Sequence, residues 1–305
     1  MTSMGSMPER LGARRLASLL AVAATVSLLV LAFASSALAL KPTGDFVNFG
    51  DCPTTGPGVI SCLYAQTTSG EFKIGTTVVP IAKTITLQSG LVEVSEGHLR
   101  LSGATDGNTL SKTPQTVPGG LLKIIAPSFF GEPLSKIFNE FINKGITGVT
   151  ASTELVGEPQ LFPLNVLFGS GTGLSLPVRV HLENEFLGPK CYVGSASKPV
   201  NVELTTGTTA PPLPNTPITG NPGELEFKDE GALLVDKKNS LVNNSFAAPG
   251  SEGCGSQILF GIFTGIIDSA VNSQIGLPSA AGHNTAILNG NQEIGSAAAV
   301  KASEK

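Results

Sequence analysis

The sequence contains no tryptophan, only two tyrosines and three histidines, and just 14% of its 305 residues are charged. Globular domains usually carry about 25% charged residues. No basic run is longer than two residues, as in Lys237-Lys238, so the clustered positive charge of a nucleic-acid-binding protein is missing. The apolar fraction of 41% is enough for a sizeable core, while 36 glycines and 21 prolines predict many turns rather than disorder.

Motifs for catalysis and for cofactor binding are also missing. There is no G-x-S-x-G of a serine hydrolase, and the run Gly169–Gly173 lacks the G-x-G-x-x-G spacing of a dinucleotide-binding loop. His181 and Glu183 begin a zinc-deaminase signature, but Gly194 stands where a second cysteine must follow Cys191. The sequence therefore predicts no catalytic, cofactor-binding or metal-binding residue, and His181 is better explained as a side chain on the exposed face of a strand.

The first 39 residues have the pattern of a secretory signal peptide. Arg10, Arg14 and Arg15 precede an apolar run from Leu16 to Phe33, and small residues ending at Ala39 follow. A cationic head, an apolar middle and an A-x-A-like end predict export, with cleavage after Ala39. Because the apolar run is longer than the usual 7–15 residues, a retained membrane anchor stays open as the alternative, and membrane contact is expected only through an uncleaved leader.

Four cysteines follow the leader: Cys52, Cys62, Cys191 and Cys254. An even number of cysteines in an exported chain indicates disulfide bonds rather than free thiols. Cys52 and Cys62 are close in sequence and flank a turn rich in proline and glycine, so we predict the pairs Cys52–Cys62 and Cys191–Cys254. Zinc is not expected, since there is no C-x-x-C pair and no histidine at ligand spacing from a cysteine.

Alternation of apolar and polar residues predicts a mainly β fold, either an antiparallel sandwich or a barrel-like pair of sheets, with an α+β fold as runner-up. A hairpin is expected where two strands flank Glu96-Gly97, and a long loop is expected over residues 205–223. The predicted strands cover Glu71–Ile74, Thr76–Leu87, Leu91–Val94, His98–Leu101, Val149–Val156, Leu161–Phe168, Leu174–Phe186, Cys191–Leu204 and two short segments at 225–227 and 232–235.

Two apolar helices are predicted to pack against the sheets. The first covers 133–145, with apolar residues at helical spacing from Leu134 to Ile142, and the second extends from near Ser256 to Gly276. We expect a single β-rich domain over 40–296, with a division into two lobes near 146–150 as the alternative. Residues 297–305 are predicted to form a disordered tail.

These features predict an exported, non-catalytic bacterial protein of the cell envelope or extracellular space, with a structural or binding role. One alternative is a carrier of an apolar ligand or lipid, in which the segments Phe129–Ile142 and Ile258–Val271 line a cavity between helix and sheet. Another is a secreted hydrolase whose site is assembled from separated residues such as His181 and Glu183. The sequence does not identify a partner: an envelope component and a lipid are the candidates, and nucleic acid is not expected.

Overall fold

The computed structural model describes residues 40–119, 148–256 and 264–305. The predicted leader and the predicted helix over 133–145 lie outside these residues, as do residues 257–263 of the second predicted helix. Lys41–Lys305 form one compact unit, which contains all of the described helices and strands.

Fourteen strands are present in the described part of the chain, and all of their pairings are antiparallel. The predicted mainly β class is thus confirmed. The strands are β1 (Val59–Ile74), β2 (Thr77–Pro80), β3 (Ile85–Ser95), β4 (His98–Leu101), β5 (Gln115–Thr116), β6 (Thr150–Leu155), β7 (Gln160–Leu161), β8 (Leu174–Glu183), β9 (Tyr192–Val193), β10 (Val200–Leu204), β11 (Glu224–Lys228), β12 (Leu233–Asn243), β13 (Ser251–Glu252) and β14 (Thr285–Ser296).

The strands form one continuous sheet that curls back on itself. Its order is β11-β12-β14-β1-β3-β4-β7-β8-β6-β5, and β10 pairs with β8 on a side path. Directly after β10, Thr205 and Val242 exchange two backbone hydrogen bonds of 2.9 and 2.8 Å, which join this side path to β12. A ring of strands therefore surrounds the interior, and side chains on alternate positions point into it.

Three α-helices lie in the described residues: α1 (Pro163–Phe168), α2 (Thr264–Ile275) and α3 (Ala297–Ala302). There are also two 3₁₀-helices, Gly44–Phe49 and Asp229–Gly231. α2 lies within the second predicted helix, and its Ile267, Val271 and Ile275 are buried in the main core. No described helix is long and apolar enough to span a membrane.

The predicted disordered tail over 297–305 is wrong. Its residues form α3, whose Val300 is fully buried, and the helix covers a small second core on the outer face of β1, β12 and β14. Phe46 and Phe49 of the first 3₁₀-helix belong to the same core. Lys41 and Lys305 exchange backbone hydrogen bonds of 3.3 and 3.1 Å, which tie the two ends of the unit together.

Two further predictions are corrected by the strand boundaries. The predicted strand Leu161–Phe168 is instead β7 followed by α1, because Pro163 suits the first turn of a helix and Gly169, with φ of 64°, ends it in the left-handed conformation. No strand is predicted after Val235, yet β14 (Thr285–Ser296) lies between β12 and β1. The predicted hairpin is present, since Ser95 of β3 pairs with His98 of β4.

Both predicted disulfides are present, Cys52–Cys62 and Cys191–Cys254. The first bond attaches the segment after the first 3₁₀-helix to β1. The second connects the residue before β9 with the segment after β13 and is fully buried. Asp268 of α2 accepts a hydrogen bond of 2.8 Å from the backbone N–H of Cys254, so the same bond also anchors the helix.

Candidate functional site: an apolar cavity

The ring of strands encloses a cavity in the main core. Its wall is almost entirely apolar, with contributions such as Ala65 and Phe72 of β1, Leu87 of β3, and Leu176 and Val180 of β8. None of the described residues that line it is charged. Most of the described lining comes from strands, and Ile275 of α2 closes part of it. An interior of this kind suits an apolar ligand.

The cavity volume that the centre of a water-sized sphere can occupy is about 140 Å³. One water molecule needs about 10–15 Å³ in this measure, so the space equals about ten water molecules, or about 300 Å³ of liquid. That is near the lower end of the range for small-molecule pockets, which is about 300–1,000 Å³. The cavity can therefore hold a small apolar molecule rather than a single water.

Such a space is unusual in a well-packed protein. Interiors are packed like organic crystals, with few voids larger than a water molecule. An empty void costs about 24 cal/mol per Å³, so a dry space of 140 Å³ would cost about 3 kcal/mol of the free energy of unfolding. Small inward-facing side chains, Ala65 on β1 and Ala151 on β6, leave part of this room. A bound ligand would recover much of the lost contact energy.

One end of the cavity is polar. Asn239 of β12 and Gln292 of β14 both line it, and both donate a side-chain N–H to the same oxygen, Oδ2 of Asp236, at 2.9 Å. Asp236 is fully buried, and its Oδ1 has no hydrogen-bond partner in the described part of the chain. Burial raises the pKa of the Asp236 carboxyl, and the two amide hydrogen bonds oppose that rise.

The backbone of β12 explains how this cluster forms. Asp236 pairs with Gln292 across the two strands, and the register then shifts before Asn239 pairs with Gly290. Two exposed lysines, Lys237 and Lys238, occupy the bulge. The bulge sends both lysines outward and returns Asn239 to the inward face, beside Asp236.

Gln115 also lies on the cavity wall, but its side-chain amide is hydrogen-bonded to backbone atoms. Its side-chain oxygen accepts hydrogen bonds from the backbone N–H groups of Ala82 and Lys83, at 2.9 and 3.0 Å. Its side-chain nitrogen donates to the carbonyl oxygens of Lys83 and Thr113. Gln115 therefore anchors the chain, whereas the amides of Asn239 and Gln292 are held by Asp236.

The residues suggested for a hydrolase lie on the outer face of the sheet. His181 Nδ1 is 3.2 Å from Glu183 Oε1, and the hydroxyl of Ser152 donates to the same oxygen at 3.0 Å. The structure thus brings the two predicted residues together with a serine. However, Ser152 gives its proton to the carboxylate rather than to the imidazole, so His181 is not placed to activate it as a nucleophile.

The neighbours of His181 also indicate a packed polar face. The His181 ring stacks on the ring of Tyr192 at a centroid distance of 4.4 Å. The guanidinium carbon of Arg179 lies 3.9 Å from the centroid of the Tyr192 ring. Arg179 also binds Glu154 at 2.6 Å. Burial alone would raise the pKa of Glu154, but Arg179 and Lys112 hold it below its ordinary value. These contacts link β6, β8 and β9 on the outside of the ring.

The described residues contain no group of three or more histidine, cysteine, aspartate or glutamate side chains that could hold a metal ion. All four cysteines are in disulfides. Comparisons with protein-family models, with curated proteins and with solved structures found no match to the chain.

The sequence alone does not identify Asp236, Asn239 and Gln292, because the predicted strand ends at Val235 and no strand is predicted over the segment that contains Gln292. One signal could have found them. Ala286, Leu288, Gln292 and Ile294 occupy alternate positions, so they share one face of a strand, with an amide among apolar residues.

Proposed function

We propose that the protein is an exported binding protein that holds a small apolar molecule in the cavity inside its sheet. The observation that carries this proposal is the uncharged, largely apolar space of about 140 Å³ in the main core. A purely structural or adhesive protein gains nothing from such a space, which lowers its stability. Of the three functions expected from the sequence, the carrier of an apolar ligand agrees best with the geometry, although the described wall consists mainly of strands and includes no residue from 264–271.

The exported location in this proposal is supported by two independent features. The first 39 residues have the order of a signal peptide, with the three arginines ahead of the apolar run. The structure contains two disulfides, which persist in oxidising compartments and are rare in the cytosol. Delivery to the bacterial cell envelope or the extracellular space would account for both.

The test uses a neutral apolar dye and a variant that fills the cavity. N-phenylnaphthylamine fluoresces strongly in apolar surroundings, and the absence of tryptophan leaves no indole emission to interfere. The mature protein should bind the dye saturably. Ala65→Phe puts a ring into the cavity and should weaken binding about tenfold or more.

Val94→Phe is the matched control, because Val94 lies on β3 with an exposed side chain and the same ring is added outside the cavity. It should bind the dye as the wild type does, and circular dichroism should show that both variants are folded. The proposal is wrong if the folded wild type shows no saturable binding, or if the two variants lose affinity equally.

A further inference from the structure

The polar end of the cavity carries information about the ligand. Asn239 and Gln292 each direct an N–H at Oδ2 of Asp236, and this fixes the orientation of both amide groups. No described residue donates a hydrogen bond to either amide carbonyl. Each amide therefore keeps one carbonyl oxygen and one N–H for a molecule in the cavity.

The charge around this end excludes one common ligand type. No lysine, arginine or histidine is among the described residues that line the cavity, so an ionised acid would find no cation there. The carboxyl of Asp236 is an ionisable group at this end, because both amides donate a hydrogen bond to it. A ligand carboxylate would lose its hydration and face a group of its own sign.

We propose, on the basis of the binding function above, that the cavity selects a neutral apolar molecule with a hydroxyl group at one end, and that this hydroxyl binds Asn239 and Gln292. A hydroxyl both donates and accepts a hydrogen bond, so it complements an amide that offers a carbonyl and an N–H. Asp236 acts as a positioning residue: it holds the two amides and disfavours anions, without contacting the ligand.

The other polar side chains on the wall agree with this assignment. Gln66 donates its side-chain N–H to the hydroxyl of Tyr64 at 2.9 Å, and Thr67 carries a neutral hydroxyl. The side-chain amide of Gln115 makes four hydrogen bonds, all of them to backbone atoms. Asn291 accepts a hydrogen bond from the backbone N–H of Lys238 at 3.0 Å and is exposed to solvent. Thr77 and Thr153 carry neutral hydroxyls, which do not attract an anion.

The experiment compares three molecules of equal chain length on the wild-type protein: decanol, methyl decanoate and decanoate. Each competes with N-phenylnaphthylamine at neutral pH, and calorimetry confirms the affinities. Decanol should bind most tightly. Decanoate should bind about tenfold more weakly or worse, because its charge is unpaired, and methyl decanoate should fall below decanol because it cannot donate a hydrogen bond.

The variant Asp236→Asn keeps the shape of the side chain but removes its charge, so the ratio of decanol to decanoate affinity should fall several-fold. Glu226→Gln is the matched control: Glu226 is exposed on β11, next to β12, and pairs with Lys237 outside the cavity. The ratio should be unchanged in this control. An unchanged ratio in Asp236→Asn would overturn the role given to that residue.

The wild-type series remains decisive even if Asp236→Asn fails to fold. If decanoate or methyl decanoate binds as tightly as decanol, the inference about the hydroxyl is wrong while the binding function stands. If neither the dye nor any of the three molecules binds, the proposed function itself is wrong.

Discussion

The two disulfides should contribute unequally to stability, and the longer loop should contribute more. Cys191 and Cys254 are 63 residues apart in sequence, whereas Cys52 and Cys62 are 10 apart. A disulfide stabilises mainly by restricting the unfolded chain, and the restriction grows with the logarithm of the loop length. Loops of 63 and 10 residues give about 4.3 and about 2.7 kcal/mol at 25 °C, a difference of about 1.6 kcal/mol.

Each pair should be replaced by alanine, because Cys62, Cys191 and Cys254 are fully buried and a serine hydroxyl there would need a new hydrogen-bond partner. Guanidinium chloride unfolding of the mature protein gives the free energy of unfolding by linear extrapolation. The variant without Cys191–Cys254 should lose more stability than the variant without Cys52–Cys62. The m-value of each variant then shows whether its unfolded chain has become less compact, as the chain-entropy account expects.

The reasoning would be refuted by equal losses in the two variants, or by a larger loss for the short loop. Either result would mean that the native contacts of the bonds outweigh their effect on the unfolded chain. The pairing itself can be checked by peptide mapping without reduction. A peptide linking Cys62 to Cys191 or to Cys254 would contradict the structure.

Two further predictions concern the packing around Asp236. Gly223→Ala should destabilise the protein by about 2 kcal/mol more than Gly231→Ala. Both glycines have positive φ, but only at Gly223 would the new methyl group overlap Asp236 Oδ1. Equal melting temperatures of the two variants would contradict this. Since burial raises the pKa of Asp236 in the folded chain, the folded state holds a proton that the unfolded chain releases, and stability should fall as the pH rises through that interval. When the free energy of unfolding is measured from about pH 4 to 8, Asp236→Asn should lack this part of the decrease. The same pH dependence in the wild type and the variant would contradict the prediction.

Several elements could be recognised in the sequence because their signal is local. β8 alternates apolar and polar residues over its whole length, and its inward side chains, such as Val178 and Val180, are buried. The disulfide pairing also followed from local information, since Cys52 and Cys62 flank one turn and leave one other pair. In each case the residues that decide the structure are near one another in the chain.

Other elements depend on partners that are distant in sequence. β14 contains Gly290 and polar amides, so its alternation is weak, yet it lies in the middle of the sheet. A side chain at Gly290 would overlap the carbonyl oxygen of Gln66 on β1, which explains the glycine only once the two strands are paired. Val300 likewise becomes a core residue only through its contact with the first 3₁₀-helix and the outer face of the sheet.

The sequence by itself determined the mainly antiparallel β class, the two disulfide pairs and the lack of clustered charge, because each follows from residue type and short-range spacing. The tertiary structure alone decided that an apolar space remains inside the sheet and that Asp236 orients Asn239 and Gln292 at one end of it. The volume of a cavity depends on how curved walls and side chains from many strands fit together. No local pattern records that fit, and Asp236 meets Gln292 only because residues 56 apart in the chain become neighbours on adjacent strands.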